Sequence, residues 1–115
     1  LQGHFETVFV QTKKHCSPDD LKEIYAAFNT KAREDFGDLP SSPQETIVVL
    51  DRAPQPFYDV NLYGGMAAVV GRIERGEAQN WIKYQVLSNN IQRGAAKGIV
   101  HVAEYLHKIG FLKTK

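Results

Sequence analysis

Apolar and polar residues alternate near the beginning of the chain. From His4 to Thr12 every second residue falls on the same face of an extended backbone, and aromatic and β-branched residues are frequent. This pattern predicts a strand. Ser17-Pro18-Asp19-Asp20 then supplies an N-cap, a proline at the first helical position and acids in the first turn, so we expect a helix to begin there. The apolar residues of this helix recur at i, i+3, i+4 and i+7 and form one stripe that can pack on a sheet. They are Leu21, Ile24, Tyr25 and Phe28.

Turn-forming residues divide the middle of the chain. Prolines and serines in residues 38–44 cannot continue a helix, so the chain should reverse before the apolar run Ile47–Leu50, a predicted buried strand. A polar loop with two further prolines leads to Tyr63-Gly64-Gly65-Met66, where the glycines permit backbone angles that are barred to other residues. We expect this stretch to be an irregular but ordered loop.

Two strand-like runs and a helical run complete the chain. Ala67–Glu74 and Asn80–Leu87 are separated by a short polar connection, which predicts an antiparallel hairpin. Ser88-Asn89-Asn90 then offers capping oxygens for a last helix that continues to about Ile109, with Gly110 as its stop.

Two glycines, Gly94 and Gly98, lie four residues apart in this last helix. Each costs about 1 kcal/mol relative to alanine in a helix interior, which is most easily explained if another element or domain packs closely against that side. The helix also carries an apolar set at helical spacing. Its members are Ile91, Ala95, Ile99, Val102 and Leu106.

Together these elements predict an α+β fold, with a mainly antiparallel or mixed sheet and helices packed on one of its faces. The chain has 115 residues, of which 43% are hydrophobic. Because that is enough for one core, we expect residues 1–115 to form a single domain.

The charge and the cysteine content narrow the classes of function. Fourteen basic and thirteen acidic residues give a net charge of +1 without a basic patch, so nucleic acid is not an expected partner. Cys16 is the only cysteine, and no signal peptide or apolar stretch of about 20 residues is present, so we expect a cytoplasmic protein that does not enter a membrane. The histidine spacing matches no common metal motif, and we expect no metal site.

Three short sequence blocks follow one another along the chain. They are Gly3-His4-Phe5-Glu6 at the start of a strand, Gly64-Gly65-Met66 followed by Val70-Gly71-Arg72-Ile73, and the segment from Leu87 to Ala96. In these blocks the chain resembles the C-terminal catalytic and dimerisation domain of aspartate-semialdehyde dehydrogenases. The last block is the most specific, because a Ser-x-Asn stretch that leads into Gly-Ala-Ala is a hallmark of that family. The Gly-Gly-Met form is similar to the archaeal and fungal branch.

The resemblance implies a part in the NADP-dependent reductive dephosphorylation of aspartyl-4-phosphate, a step toward lysine, methionine and threonine. His4 matches the family's acid/base, and imidazole suits that task because its ordinary pKa is about 6.5. Asn90 matches the residue that bonds the nicotinamide carboxamide, with Asn89 as the adjacent alternative. Gly94 would let the last helix approach the dinucleotide-binding domain. The resemblance also implies a homodimer or homotetramer.

Other features of the family have no counterpart in this sequence. No Gly-x-Gly-x-x-Gly fingerprint follows a strand, so we do not expect the chain to hold NADP alone. Cys16 lies in a strand-to-helix connection and matches no nucleophile motif, and the family's substrate-binding arginine falls before Leu1. We therefore expect a chain that supplies the acid/base and the subunit interface but is inactive by itself. Two alternatives stay open: a non-enzymatic homodimeric module, and the same domain of a related acyl-thioester reductase.

Considered without the resemblance, several residues are expected to have structural roles. His4 alone would more often be an ordinary strand-end histidine than a catalytic one. Arg72 is expected to pair with a carboxylate rather than bind a phosphate. Four aromatic residues near turns or in the hairpin are expected to pack in the core, at a turn or at an interface. They are Tyr58, Tyr63, Trp81 and Tyr84.

Overall fold

The structure, a computed structural model, describes residues 2–113 of the chain. Four strands, three α-helices, one 3-10 turn and one π-helical turn are assigned in this range. In chain order they are β1 (Gly3–Gln11), α1 (Pro18–Phe36), β2 (Ile47–Leu50), α2 (Pro56–Asp59), the 3-10 turn (Leu62–Gly65), β3 (Ala68–Arg75), β4 (Trp81–Asn89), the π-turn (Gln92–Ala96) and α3 (Lys97–Lys108).

The strands form one mixed sheet in the order β1-β4-β3-β2. The predicted hairpin is confirmed, because β3 and β4 pair antiparallel, and β1 pairs antiparallel with the other edge of β4. β2 lies parallel to β3. The α+β class with a mixed sheet is therefore established. A bulge between Gly71 and Glu74 interrupts the hairpin, and there Arg72 adopts a left-handed backbone with φ of 50°.

Helix α1 begins as the sequence predicts. The Ser17 side chain accepts a hydrogen bond from the Asp20 N–H at 3.1 Å, and the Asp20 carboxylate accepts one from the Ser17 N–H at 2.7 Å. These reciprocal bonds form a capping box, which satisfies two backbone donors at the helix start.

The face that α1 turns to the sheet differs in part from the predicted stripe. The Asn29 side chain bonds both the N–H and the carbonyl of Ile47 at 2.9 and 2.7 Å, and the Tyr25 ring meets the Tyr84 ring edge-on at 6.4 Å between centroids. Because these contacts fix the helix rotation, Ile24 and Phe28 stay 55% and 46% exposed. The prediction that these two residues pack on the sheet is wrong, since a polar anchor rather than the apolar stripe sets the helix face.

A buried apolar cluster lies on the face of the sheet opposite α1. Val69 and Leu87 are directly opposite each other on β3 and β4, so their side chains share a face, and Val60 covers both. Residues 51–66, which include α2 and the 3-10 turn, therefore close one end of that face. Partly buried neighbours complete this cluster. They are Val48, Leu50 and Leu62.

The chain is less compact than its length allows. Its extents are 55 × 33 × 18 Å and its radius of gyration is 15.7 Å, whereas a compact domain of this length has about 13 Å. Helix α3 packs beside the end of α1 and the loop after it. The domain therefore leaves more surface open than a closed globule does.

Candidate functional site

His4 lies on β1 at the end of the sheet where β4 finishes. It stands directly opposite Ser88, with Gly3 opposite Asn89, and its side chain is exposed. The Asn90 N–H donates to the Gln2 carbonyl at 2.9 Å, which extends the strand pairing by one further step. Residues from the first and last sequence blocks thus meet at one end of the sheet.

Asn90 also presents an exposed side chain at this end of the sheet. Neither His4 nor Asn90 lines the cavity of about 470 Å³ that lies between α1 and α3. Their backbones are adjacent, and their side chains are open to solvent. The assignments of His4 as acid/base and of Asn90 as nicotinamide ligand stay predictions.

Asn89 is placed quite differently from its neighbour. Its side chain is fully buried, and its carbonyl oxygen accepts hydrogen bonds from the N–H groups of Ile91 and Gln92 at 3.0 and 2.8 Å. Its amide nitrogen donates to the Asn61 side chain at 3.2 Å. The predicted capping of the last helical segment is confirmed, and Asn89 is the residue that caps it. Of the two asparagines, only Asn90 keeps an exposed amide.

The first turn of the last helical segment is wider than predicted. The Ala96 N–H bonds the Ile91 carbonyl at 2.7 Å, a π-type bond that spans five residues, and regular α-helix begins only at Lys97. Gly98 explains how this is possible, because a Cβ there would collide with the Arg93 carbonyl oxygen. The close neighbour that the sequence predicted for Gly98 is therefore the helix's own preceding turn. Gly110, with φ of 76°, ends the helix as predicted.

Gly94 has no such neighbour within the described chain. It is exposed, and a Cβ there would meet only the Asn89 carbonyl at an ordinary contact distance of 3.7 Å. Its small size is not required by the fold of this domain. Its assignment as the residue that lets another domain approach stays a prediction.

The loop around the double glycine is irregular and tightly held, as predicted. Tyr63, Gly64 and Gly65 have consecutive φ values of 51°, 66° and 77°. A left-handed backbone is uncommon for tyrosine and marks a strained position. A Cβ at Gly65 would lie 2.9 Å from the Asn89 amide nitrogen, so this loop packs directly on the residue that caps the last helical segment.

Arg93 is a site feature that the sequence interpretation missed. Its guanidinium donates to the Met66 carbonyl at 2.6 Å, and it has no carboxylate partner within residues 2–113. Burial lowers the pKa of this group from its usual value. Arg93 thereby joins the start of the last helical segment to the end of the double-glycine loop. No local pattern marks this contact, because it joins residues 27 positions apart.

Helix α3 packs on the chain through polar and aromatic side chains, and the Phe36 ring of α1 meets the His101 and Tyr105 rings edge-on at 5.3 and 6.2 Å. Glu104 accepts hydrogen bonds from the N–H and hydroxyl of Ser41 at 3.0 and 3.1 Å, and His101 lies 2.8 Å from the Ser42 hydroxyl. Apolar residues on another side of the helix are open to solvent, since Ile99, Val102 and Ile109 are between 56% and 70% exposed. We call these three residues the outer apolar face of α3.

A cavity of about 470 Å³ lies between α1, α3 and the loop before β2. Its walls are mainly apolar, with Arg93 and His101 among the exceptions; the apolar residues include Phe28, Phe36 and Met66, and the largely exposed Val102 borders its open side. Other structural features bear on the class of site. Within residues 2–113 no three His, Cys, Asp or Glu side chains are grouped to hold a metal ion. No helix in the same range is long and apolar enough to cross a membrane.

The sheet order, the His4 end and the capped last helix agree with one known class of domain. Residues 1–93 match the family model described as semialdehyde dehydrogenase, dimerisation domain. The chain belongs to this family.

Individual relatives narrow the comparison. The chain is 34% identical over 112 residues to the aspartate-semialdehyde dehydrogenase of Methanothermobacter thermautotrophicus, a match that covers 95% of this chain and 32% of that protein. It is also 31% identical over 119 residues to the malonyl CoA reductase (NADP) of Metallosphaera sedula, which covers 100% of this chain and 32% of that enzyme. The chain thus spans about a third of the length of these curated relatives.

Solved structures agree with the fold. The aspartate semialdehyde dehydrogenase of Candida albicans, a structure with NADP, superposes with a TM-score of 0.77 at 29% identity and covers 96% of this chain and 31% of its own. Aspartate semialdehyde dehydrogenase II from Vibrio cholerae superposes with a TM-score of 0.71 at 21% identity, over 92% of this chain and 27% of its own. At 21% identity, the similarity to the Vibrio cholerae structure is evidence for the fold alone.

Proposed function

We propose that the chain supplies the acid/base group and the subunit interface of an NADP-dependent aspartate-semialdehyde dehydrogenase. The observation that carries this proposal is the pairing of β1 with β4, which brings His4 beside residues 88–90. The substrate would be aspartyl-4-phosphate or, in reverse, the semialdehyde with phosphate, in a cytoplasmic pathway toward lysine, methionine and threonine. The dinucleotide fold and the nucleophilic cysteine of such an enzyme are not supplied by this chain.

His4 would move the proton of the reaction. When a cysteine thiolate adds to the semialdehyde carbonyl, the new alkoxide takes a proton, and that proton leaves again when hydride departs to the dinucleotide. An imidazole can donate the first proton and accept the second near neutral pH. The exposed position of His4 at a strand end leaves its ring accessible from outside the sheet.

Asn90 would bond the carboxamide of NADP, which supplies or accepts the hydride when it is bound. The exposed amide of Asn90 can both donate and accept a hydrogen bond without adding charge. Gly94, open on its outer side, would let another domain approach the start of the last helical segment. The Candida albicans structure, which contains NADP, supports this assignment of the cofactor class.

The outer apolar face of α3 would dock on the dinucleotide-binding part of the enzyme. Helices in water normally bury their apolar side, whereas Ile99, Val102 and Ile109 of α3 are largely exposed in this chain. We also propose a homodimer that assembles through the sheet face, and the family's designation as a dimerisation domain supports the dimer.

A second candidate substrate is a malonyl thioester. The relative from Metallosphaera sedula is named a malonyl CoA reductase, and its match covers all of this chain. Both reactions pass through a thioester on a cysteine followed by hydride transfer, so the same histidine could serve either.

Grafting tests the proposal. In the Methanothermobacter enzyme the matched third is replaced by this chain, and NADP reduction is followed with aspartate semialdehyde and phosphate. We expect the graft to turn over, and His4→Ala to lower kcat by about 100-fold or more, the usual contribution of a positioned acid/base. His15→Ala, a change at an exposed histidine in the connection after β1, is the matched control. Equal rates for the His4→Ala graft and the unaltered graft would remove His4 from the mechanism.

The same graft in the Metallosphaera enzyme, assayed with malonyl-CoA and NADPH, tests the second candidate. Turnover in only one of the two hosts identifies the acyl group that the domain accommodates.

A further inference from the structure

Arg93 differs from two other arginines of the chain in the group that its guanidinium binds. Arg52 and Arg72 each pair with a carboxylate, at 2.6 and 3.3 Å, and the pairing of Arg72 confirms the structural function predicted for that residue. Arg93 is half-buried, and within residues 2–113 its hydrogen bond goes to the neutral Met66 carbonyl. Withdrawing a cation from water without an opposite charge is unfavourable. Unfavourable arrangements of this kind are expected where function requires them.

The loop that receives this hydrogen bond is firmly held at its start. The Arg52 guanidinium binds both oxygens of the buried Asp59 carboxylate, at 2.6 and 2.9 Å. The Arg52 carbonyl also lies so close to Gly71 of β3 that a Cβ there would overlap it. Aromatic side chains do not hold the loop, because Tyr58 is 71% exposed, and the expectation that Tyr58 is a packing anchor is wrong. Residues 51–66 therefore form a firm support.

The support first meets the last helical segment at Asn89. The Asn89 amide nitrogen donates to the Asn61 side chain at 3.2 Å. A Cβ at Gly65 would lie 2.9 Å from that nitrogen and 3.0 Å from the Gln92 side chain, so the loop packs closely on both. The Asn89 carbonyl oxygen accepts from the N–H groups of Ile91 and Gln92 at 3.0 and 2.8 Å. One buried side chain thus joins the loop to the turn that follows β4.

Arg93 makes a second contact between the same two segments. Its guanidinium donates to the Met66 carbonyl at 2.6 Å, at the end of the double-glycine loop. We call the contacts of Asn89 and Arg93 with this loop the clamp. Asn90 lies between the two residues in the chain, and its own N–H donates to the Gln2 carbonyl at 2.9 Å. The backbone around Asn90 is therefore held on both sides, whereas its side chain stays exposed.

We propose that Arg93 is a positioning residue for Asn90, because it fastens the turn to the double-glycine loop and so fixes the place of the Asn90 amide before a cofactor arrives. A binding group that is held in its bound geometry loses little conformational entropy when the ligand binds, which strengthens binding. Arg93 also lies within the π-turn, a rare conformation that is frequent at functional sites. The inference rests on the proposed contact of Asn90 with NADP and adds the residue that holds Asn90 in place.

Kinetics of the grafted Methanothermobacter enzyme test this role. Arg93→Met keeps an apolar stem and removes the donor, and we expect the KM for NADP to rise about 10–100-fold while the KM for aspartate semialdehyde changes less than about twofold. Arg93→Lys keeps a donor and should recover most of the loss. Lys97→Met, which removes an exposed cation from the same segment, is the matched control and should leave both KM values unchanged. A merely structural role would lower kcat through loss of active enzyme, and an unchanged KM for NADP in Arg93→Met would overturn the proposal.

Salt separates positioning from a direct contact of Arg93 with the phosphates of NADP. A half-buried hydrogen bond to a carbonyl is screened little, so the KM for NADP should differ between Arg93→Met and the unaltered graft by the same factor at low salt and at about 1 M salt. A direct contact between the guanidinium and a phosphate would weaken as salt is added. Loss of the difference at high salt would therefore overturn positioning and show that Arg93 binds the cofactor itself.

Amide hydrogen exchange in the free chain tests the clamp without catalysis. We expect Arg93→Met to speed exchange of the Ile91 and Gln92 N–H groups by about 10-fold, because the turn opens more often, and to leave the Leu87 N–H in β4 unchanged. Gly65→Ala, which forces the loop away from Asn89, is a second variant with the same expected result, and circular dichroism verifies that both are folded.

The possible results are distinguishable. Unchanged exchange in both variants would overturn the clamp, and faster exchange with an unchanged KM for NADP would overturn its role for the cofactor. An unaltered graft that does not turn over would instead overturn the proposed function, while exchange in the free chain would still decide whether Arg93 holds the turn.

Discussion

The core end of the sheet and helix α3 bury different kinds of side chain. Under residues 51–66, Val69 and Leu87 are almost inaccessible to solvent. In α3, the side turned to the chain is polar and aromatic, with Glu104 and His101 bonded to the loop after α1 and Tyr105 against Phe36, whereas Ile99 is 70% exposed. The core end of the sheet buries its apolar residues within the chain, whereas α3 leaves several of its own exposed.

This contrast identifies the part of the domain that is complete in itself. Fully burying one Ile, Leu or Val side chain adds about 1.5–3 kcal/mol to the free energy of unfolding. Val69 and Leu87 are buried and therefore make this contribution. The outer apolar face of α3 gains little of this free energy within the chain, because its side chains are exposed. It would gain more only if another surface covered it. The sheet is therefore the folded base of the domain, whereas α3 keeps an exposed apolar surface that, in our proposal, a partner domain covers.

Equal apolar deletions in the two regions should have very different effects. We expect Leu87→Ala to lower the free energy of unfolding by about 2–5 kcal/mol, because it leaves a cavity in a fully buried cluster. Ile99→Ala removes a similar volume from an exposed site and should change it by less than about 0.5 kcal/mol. Urea unfolding followed by circular dichroism measures both. Similar losses in the two variants would break the comparison.

The two adjacent asparagines offer a second contrast. Asn89→Ala removes the acceptor for two backbone N–H groups and leaves them unsatisfied, so we expect a loss of about 2 kcal/mol in the free energy of unfolding. Asn90→Ala, at the exposed neighbour, should cost little in stability and serves as the control. Thermal and urea unfolding of the two variants decide between these outcomes. A larger loss for Asn90 would mean that the cap is assigned to the wrong residue.

The two glycines of the last helical segment should respond with opposite sign. Gly98→Ala forces a Cβ against the Arg93 carbonyl, and the resulting clash should outweigh the gain in helix propensity and destabilise the chain by about 1 kcal/mol. Gly94→Ala adds a methyl group in open space and should stabilise the chain by about 0.5–1 kcal/mol. The same urea titration measures both changes. Stabilisation by Gly98→Ala would show that the π-turn is not held in solution.

The elements that the sequence predicts correctly depend on local patterns. The alternation in β1, the Ser17 cap with its following proline, and the helix stop at Gly110 each involve only a few neighbouring residues. The hairpin of β3 and β4 was also predicted, although β4 continues to Asn89 rather than ending at Leu87. Local patterns of this kind act through backbone geometry that the surrounding fold does not change.

The features that escaped prediction depend on contacts between distant residues. The parallel pairing of β2 with β3, the Asn29 bonds to Ile47 that rotate α1, and the Arg93 bond to Met66 leave no periodic trace in the sequence. The exposure of apolar residues on α3 was likewise hidden, because amphipathicity shows that a helix has two sides but not which side has a partner in this chain.

The candidate site shows the same division. The block resemblance selected His4 and Asn90, and only the register of β1 on β4 showed that they lie at one end of the sheet. The resemblance could not show that the Asn89 side chain bonds backbone N–H groups whereas the Asn90 side chain stays exposed, because this difference depends on the position of the double-glycine loop. The catalytic and cofactor assignments themselves stay predictions.

The central claim is that the outer apolar face of α3 is completed by another domain of a dehydrogenase. The most direct test is to introduce Ile99→Asn both into the free chain and into the graft with the Methanothermobacter enzyme, and to compare thermal unfolding. We expect the free chain to change by less than about 0.5 kcal/mol and the melting temperature of the graft to fall by about 5 °C. Equally small changes in both proteins would contradict the claim, because they would show that Ile99 stays in solvent when the rest of the enzyme is present.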